Sequence, residues 1–551
     1  MIHIKDPAQI NLFDLESSFL TELAQKRLET SFYAVFRHVI LSSLPAQEIG
    51  KHFSTETGRR TKELYSMAGL LLLKEFRNWT TFEATEAYLF DYRVQYALNT
   101  GRDNISFCER TLERYMVIMR EDKLAEQIFD TVTAKLIEEL GIEISSQRLD
   151  STHVFSDMAT FARTKLMGVA IKRFLIQVKR HHSTTYQTID PEILTRYEKK
   201  ETALFADHSK NKEKRSHLRQ EVAEQMHQLI TFFTGNEKIE NMTSYKHLVQ
   251  IFNEQCEIIS PIDIEQRPTE STPPASTDPS SEDIEGIEKE PTTESATTTP
   301  ATPAEVEIKV KKKTGGNIIQ NPSDPEATYC GHKGVGYQVQ ICETTDKENE
   351  VQLITSVEPQ TAVESDANAI EIMTDKLAEA DLNPVELLAD TLYGSDENYL
   401  TSKAKDIELI SPVSGPAPKT PAKKTPAKKP TAKQNRLSQR REQQETEEWK
   451  NKYNIRSQIE GTIGSIKRLT GMVRLRYRGE KSVFSSITLK LTGWNISRSQ
   501  SAPKMQQKLK KIISQRRNIA QEGVSLRILR IFSASQLSSP IFDLQKQAMA
   551  A

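Results

Sequence analysis

The sequence predicts an α/β protein: a layer of strands and helices at residues 326–412, preceded by an all-helical region at 1–140. Three observations carry this. Apolar residues recur at helical spacing through the first 140 residues. Residues 326–412 switch between period-two runs and one helical run. Two segments, 261–320 and 413–437, are dominated by residues that cannot build a core.

The elements follow in order. Phe13, Phe19, Leu20, Leu23 and Leu28 keep helical spacing, and so do Leu64, Met67, Leu70, Leu71, Leu72 and Phe76. Thr80-Thr81 ahead of Phe82-Glu83-Ala84 is a helix-start signal. Arg110, Arg114 and Arg120 lie on or near a helix around 111–119. Scattered arginines on short helices fit either a small DNA-binding domain or a plain bundle with solvated arginines. Within 141–160, residues 144–154 read as a strand with Asp150 near its end, and 161–260 return to a charged helical pattern. Residues 261–305 carry 11 acidic and 2 basic residues among Pro, Ser and Thr, so 261–320 reads as a disordered acidic linker. Strands are predicted at 337–342, 351–357, 385–390 and 407–410, with a helix at 367–380. Within 321–412 this order gives an α/β layer. Pro-Ala-Lys-Lys repeats make 413–437 a flexible basic linker. One long helix is expected from about 438 to 469 within 438–500, and 501–551 is a basic tail.

Overall charge is near balance, at −1, but it is unevenly spread. Residues 416–551 hold 29 Lys+Arg against 8 Asp+Glu, while residues 1–415 hold 45 against 67. A basic C-terminal quarter points to a polyanion such as nucleic acid, with a solvated tail as the alternative. The four cysteines form no C-x-x-C pair, which argues against a disulfide scaffold or a zinc ribbon. The longest apolar run, near 68–73, is far short of a membrane span, and the first residues lack a signal-peptide layout. The chain reads as soluble and intracellular.

Asp150 and Asp390 fall at predicted strand ends, and Glu460 falls on the long helix. Ligands of open α/β sheets sit at strand ends, and hard divalent cations need oxygen donors. Aspartates at strand ends also cap turns, so spacing alone leaves both readings open. Tyr453, Arg456, Glu460 and Lys467 are spaced by three, four and seven residues and share one helical face. Ile455, Ile459, Ile463 and Ile466 form a neighbouring stripe that can pack on a sheet. The alternative is a surface Arg456–Glu460 pair at i,i+4.

These residues carry a family resemblance. Tyr453-x2-Arg456-x3-Glu460-x6-Lys467 resembles the signature of bacterial insertion-sequence DDE transposases at every position. Arg474-Leu-Arg-Tyr-Arg-Gly479 is similar to the family's basic segment, and Asn495 to Arg498 to its closing N-x-x-R. Leu149-Asp-Ser-Thr152 resembles the first-aspartate strand, and Ala389-Asp390 with Tyr393-Gly-Ser395 the second. The acidic linker and the Pro-Ala-Lys-Lys repeats depart from the family's core, and Leu392 stands where relatives often have a small residue.

The resemblance implies an RNase H-like catalytic domain: a mixed sheet flanked by helices, following an all-α N-terminal domain that binds terminal inverted repeats. Asp150 would lie on the first strand, Asp390 at the end of the fourth and Glu460 on the helix after the fifth. A helical segment and the acidic linker would be inserted between strands one and two. The three carboxylates would be catalytic and would hold two Mg²⁺, with Mn²⁺ able to substitute. Tyr453, Arg456, Lys467, Arg474, Arg476 and Arg478 would bind DNA. The implied activity is metal-dependent strand cleavage at element ends and 3′-OH transfer into target DNA. Implied partners are double-stranded DNA and a second copy of the chain, at the nucleoid of a bacterial cytoplasm. A catalytically inactive DNA-binding derivative, or a nuclease without strand transfer, is the alternative.

Overall fold

The computed structural model describes residues 1–8, 20–100, 107–158, 161–199, 212–259, 307–415 and 431–518. They form two compact units, one within Met1–Met158 and Glu326–Ala551, the other within Ala159–Pro325. Phe13, Phe19, most of the acidic linker, part of the basic linker and the last 33 residues lie outside the described residues.

The first unit opens with helices. Leu64–Phe76 (α1) is buried along its whole length, as its unbroken apolar run demands. The Thr80 signal forms a capping box with Glu83 at the start of Thr81–Phe90 (α2). Glu109–Glu121 (α3) and Leu124–Leu140 (α4) follow, the latter closed by Gly141 in the left-handed conformation. Ser146–Phe155 is β1.

The second unit is chiefly helical: Arg163–His181 (α5), Lys212–Phe233 (α6) and Thr243–Gln255 (α7) enclose an apolar core that includes Phe174, Phe233 and Phe252. Charged sequence and buried core coexist because the apolar residues keep helical spacing. Cys256–Ile259 (β2) pairs antiparallel with Glu307–Val310 (β3), with Ile259 opposite Glu307. This ribbon brings together the chain on either side of 260–306.

The first unit resumes with Thr328–Cys330 (β4), Gly334–Thr344 (β5), Ile354–Thr361 (β6), Ala369–Glu379 (α8), Glu386–Leu388 (β7), Asp396–Ala404 (α9) and Glu408–Ile410 (β8). The sheet order is β4-β5-β1-β7-β8, and β6 pairs along the remainder of β5. β1 runs antiparallel to β5 and parallel to β7, and β7 runs parallel to β8. This mixed sheet with helices on it is compatible with an RNase H-like fold.

Several expected elements differ. Residues 307–320, read as the end of a disordered linker, are folded in part: 307–310 form β3, and Ile308 and Ile319 are buried in the second unit's core because they are apolar. The strand expected at 385–390 is only Glu386–Leu388. The strand expected at 351–357 starts at Ile354, because Val351 and Leu353 are buried in the helical core instead. The single helix expected from 438 to 469 is broken into Ala432–Gln444 (α10), Glu447–Asn454 (α11), the tight turn Ile455–Ser457 and Gln458–Thr470 (α12). Thr446 ends the first piece and its hydroxyl caps the next by accepting from Trp449 N, a local bond that competes with helix continuation.

Glu480–Gln500 (α13) packs against α1 and α4. Two of its buried polar side chains tie it to neighbouring segments. Lys490 Nζ donates to the carbonyls of Glu75 and Thr470, each at 2.8 Å, and to Asn78 Oδ1 at 3.1 Å. Asn495 Oδ1 accepts from Ile354 N at 2.8 Å and its Nδ2 donates to Ile354 O at 2.8 Å, completing the start of β6 as a neighbouring strand would.

Candidate active site

β7 pairs with β1 only as far as Arg148, so no strand lies beside residues 149–154 on that side among the described residues. Asp150 sits on this open stretch. Val154 on β1 and Val339 and Ile341 on β5 form a core with Ile459, Ile463 and Ile466 of α12. Three of the four residues of the isoleucine stripe therefore hold α12 on the sheet. Ile455 instead belongs to the tight turn before the helix.

That packing sets Arg456 between two carboxylates. Its guanidinium lies 3.5 Å from Asp150 Oδ2 and donates to Glu460 Oε1 at 3.2 Å. The expected surface pair Arg456–Glu460 exists, but it is one half of a bridge to β1. Asp150 Oδ1 accepts from Ser151 N at 2.9 Å. Burial pushes the Asp150 carboxyl up to about 6. Its bond to Ser151 N and the charge of Arg456 oppose the rise, while Asp390 and Glu460 add to it. Both other carboxylates thus act on Asp150 electrostatically.

Asp390 lies two residues past β7, not within it. It caps the turn Thr391–Tyr393 by accepting from Leu392 N at 2.7 Å, so the turn-capping reading also holds. Leu392 is exposed and leaves this turn intact. Ser411, after β8, donates its hydroxyl to the Asp390 carbonyl at 2.5 Å.

Tyr453 stacks on Trp449 with ring centroids 4.9 Å apart, and Arg456 lies 5.8 Å from the Tyr453 ring on the ladder that leads to Glu460. Lys467 is half-buried, and burial, with Lys333 nearby, holds its ammonium below the usual lysine range. Arg474, Arg476 and Arg478 are exposed, alternating with buried Leu475 and half-buried Tyr477. Phe155 N donates to Val473 O at 2.9 Å, which ties the start of this segment to the end of β1.

Sequence reading missed the residues beneath the site. Tyr393, fully buried, donates to Gln340 Oε1 at 2.5 Å, and Gln340 Nε2 donates to Asp366 Oδ1 at 2.9 Å. Lys333 lies 4.0 Å from Asp366. Gln338 and Gln340 are the alternate residues of the β5 run, so the signal was there; alternation alone reads as an exposed polar face, whereas here it is a buried polar layer. Arg148 and Glu343 were missed for the same reason.

The donor set of Asp150, Asp390 and Glu460 is all oxygen, which suits a hard divalent cation. The set is not preassembled: among the described residues no three His, Cys, Asp or Glu side chains already converge as a metal site, and Glu460 is turned to Arg456.

Residues 418–499 match the family model of the transposase DDE domain. The match supports a DDE transposase. It spans α10 to α13, the segment that carries Arg456 and Glu460, and a transposase domain implies DNA binding. No curated protein and no solved structure matches the chain. No helix among the described residues is long and apolar enough to cross a membrane.

Proposed function

We propose that this chain is an insertion-sequence DDE transposase that cuts DNA at the element ends and joins the freed 3′ hydroxyl to target DNA. The observation that carries the reading is the Arg456 bridge. It joins Asp150 to Glu460, 310 positions away in the chain and inside the transposase match, in the field of Asp390.

In this reading Asp150, Asp390 and Glu460 hold Mg²⁺ or Mn²⁺, two ions per site. When bound, the ions supply polarisation of the phosphodiester and activation of the attacking oxygen. The protein's own groups do the rest. Arg456 pairs with Asp150 and Glu460 in the free protein, offsetting part of their charge, and turns to a DNA phosphate when those charges are otherwise engaged. Lys467 holds a second phosphate, and Tyr453 contacts the strand beside the cut. Arg474, Arg476 and Arg478 continue the track along the backbone, a contact that positions DNA without reading sequence. The N-terminal helices take the terminal repeats. Two copies bring two ends together, at the nucleoid of a bacterial cell.

The test is cleavage of the DNA flanking the gene by purified protein with Mg²⁺. Discrete 3′-OH ends from wild type, absent with Glu460→Gln and followed by joining to a target plasmid, are expected. Folded protein that binds this DNA and never cuts it would overturn the reading.

A further inference from the structure

The loops that follow β7 and β8 touch through their backbones. A Cβ on Gly394 would fall 1.7 Å from Pro412 O, and Ser414 N donates to Gly394 O. Asp390 heads one loop and Ser411 the other, joined by the Ser411 hydroxyl on the Asp390 carbonyl. Over this junction lies one side chain from α10. Arg440 is 6 % exposed, the only buried residue of its helix. It donates to Ser395 O and Gly394 O at 3.3 Å and approaches Ser411 O at 3.5 Å, with its guanidinium 4.6 Å from the Tyr399 ring centroid. Gln444, one turn on, donates to Ser411 O at 3.3 Å.

A guanidinium taken out of water costs several kcal/mol unless its donors are met. Here backbone carbonyls of two separate loops meet them, and their position is thereby fixed by α10. The contact is polar where a leucine would suffice for simple docking. It joins the loop bearing Asp390 to the segment that runs through α11 into Glu460.

We propose that Arg440 is a positioning residue: buried between the loops after β7 and β8, it holds Asp390 in register with Glu460 so that the carboxylates can share a divalent cation. This rests on the functional reading above. Arg440 touches neither DNA nor the reacting atoms. Arg436, on the same helix, makes a bidentate pair with Asp396 at 2.7 and 3.2 Å and does not reach the two loops' carbonyls, so it serves as the docking control.

The experiment measures Mn²⁺ binding to DNA-free, full-length protein by electron paramagnetic resonance, with amide exchange at residues 391–395 as a second readout. Arg440→Met is expected to weaken Mn²⁺ binding at least about tenfold, the lower end for loss of a supporting contact behind a metal ligand. Exchange should quicken across 391–395. Arg440→Lys, which reaches fewer carbonyls at once, should fall between the two, and Arg436→Gln should lower the melting temperature yet keep wild-type Mn²⁺ affinity. Wild-type affinity in Arg440→Met would overturn the proposal, as would an equal loss in Arg436→Gln. If Arg440→Met does not fold, Arg440→Lys decides by the same affinity. If wild type itself binds no Mn²⁺, the functional reading fails and the metal role of Arg440 with it. Quickened exchange in Arg440→Met would then show that the brace alone survives.

Discussion

Arg148 on β1 and Glu343 on β5 face each other with 2.6 Å between guanidinium and carboxylate, both almost fully buried. Arg148 also donates to Ile455 O and Gln458 Oε1, each at 3.1 Å, and Thr462 donates to Glu343 Oε1 at 3.0 Å. This pair therefore pins the start of α12 to the strand that bears Asp150. Replacing Arg148 with Met leaves Glu343 buried and uncompensated, and should cost about 3–5 kcal/mol in urea unfolding. The double variant Arg148→Met with Glu343→Leu should recover most of that stability. If it recovers none, the pair is not coupled as the geometry states.

Gly394→Ala should be strongly disruptive. The added methyl meets Pro412 O, a backbone atom that cannot swing aside. A loss of about 3 kcal/mol or more is expected, above the usual range for overpacking at side chains. Gly461 and Gly464 on α12 have open space at the Cβ position, so Ala there should be tolerated or mildly stabilising. Thermal melts of the three variants check this ordering.

How much was legible beforehand follows from what each residue depends on. Local spacing singled out Tyr453, Arg456, Glu460 and Lys467, but the single helical face it implied is split. Tyr453 lies on α11, Arg456 in the tight turn, and Glu460 and Lys467 on α12, while three of the stripe isoleucines pack on the sheet. The break at Thr446 was not legible: a mid-helix Thr is common, and its capping role emerges only once the chain turns there. Nothing in the local sequence sets Arg440 apart from the basic residues around it. Its partners are carbonyls some 29 to 46 positions away, which no periodicity reveals.

His38 gives the helical region an acid-sensitive stability. Burial, then Arg37 and Arg516, lower its imidazole from 6.5 to about 3, with Nε2 held 2.9 Å from the Tyr96 hydroxyl. Between these values the unfolded chain takes up a proton that the folded chain refuses, so stability is complete above about pH 6.5 and falls as the pH drops toward 3. From pH 7 to pH 5 this group should remove about 2 kcal/mol. His38→Gln should shrink the difference between urea midpoints at the two pH values. An unchanged difference would assign the acid sensitivity elsewhere.

Lys467→Ala should weaken DNA binding evenly across sequences and lower the magnitude of the log–log salt slope by about one, the signature of one lost phosphate contact. Fluorescence anisotropy on a labelled duplex at several salt concentrations reads this without any cleavage. The half-burial of Lys467 limits its alternatives: a purely structural role would change the melting temperature and leave the slope untouched.

The most direct test of the central claim, that Asp150, Asp390 and Glu460 make one metal site, is calorimetric titration of full-length protein with Mn²⁺ at pH 7.5. Wild type should bind, and Asp150→Asn, Asp390→Asn and Glu460→Gln should each weaken binding by about tenfold or more while keeping the fold, since each removes an oxygen donor from the same ion set. Three folded variants that bind Mn²⁺ as wild type does would contradict the account.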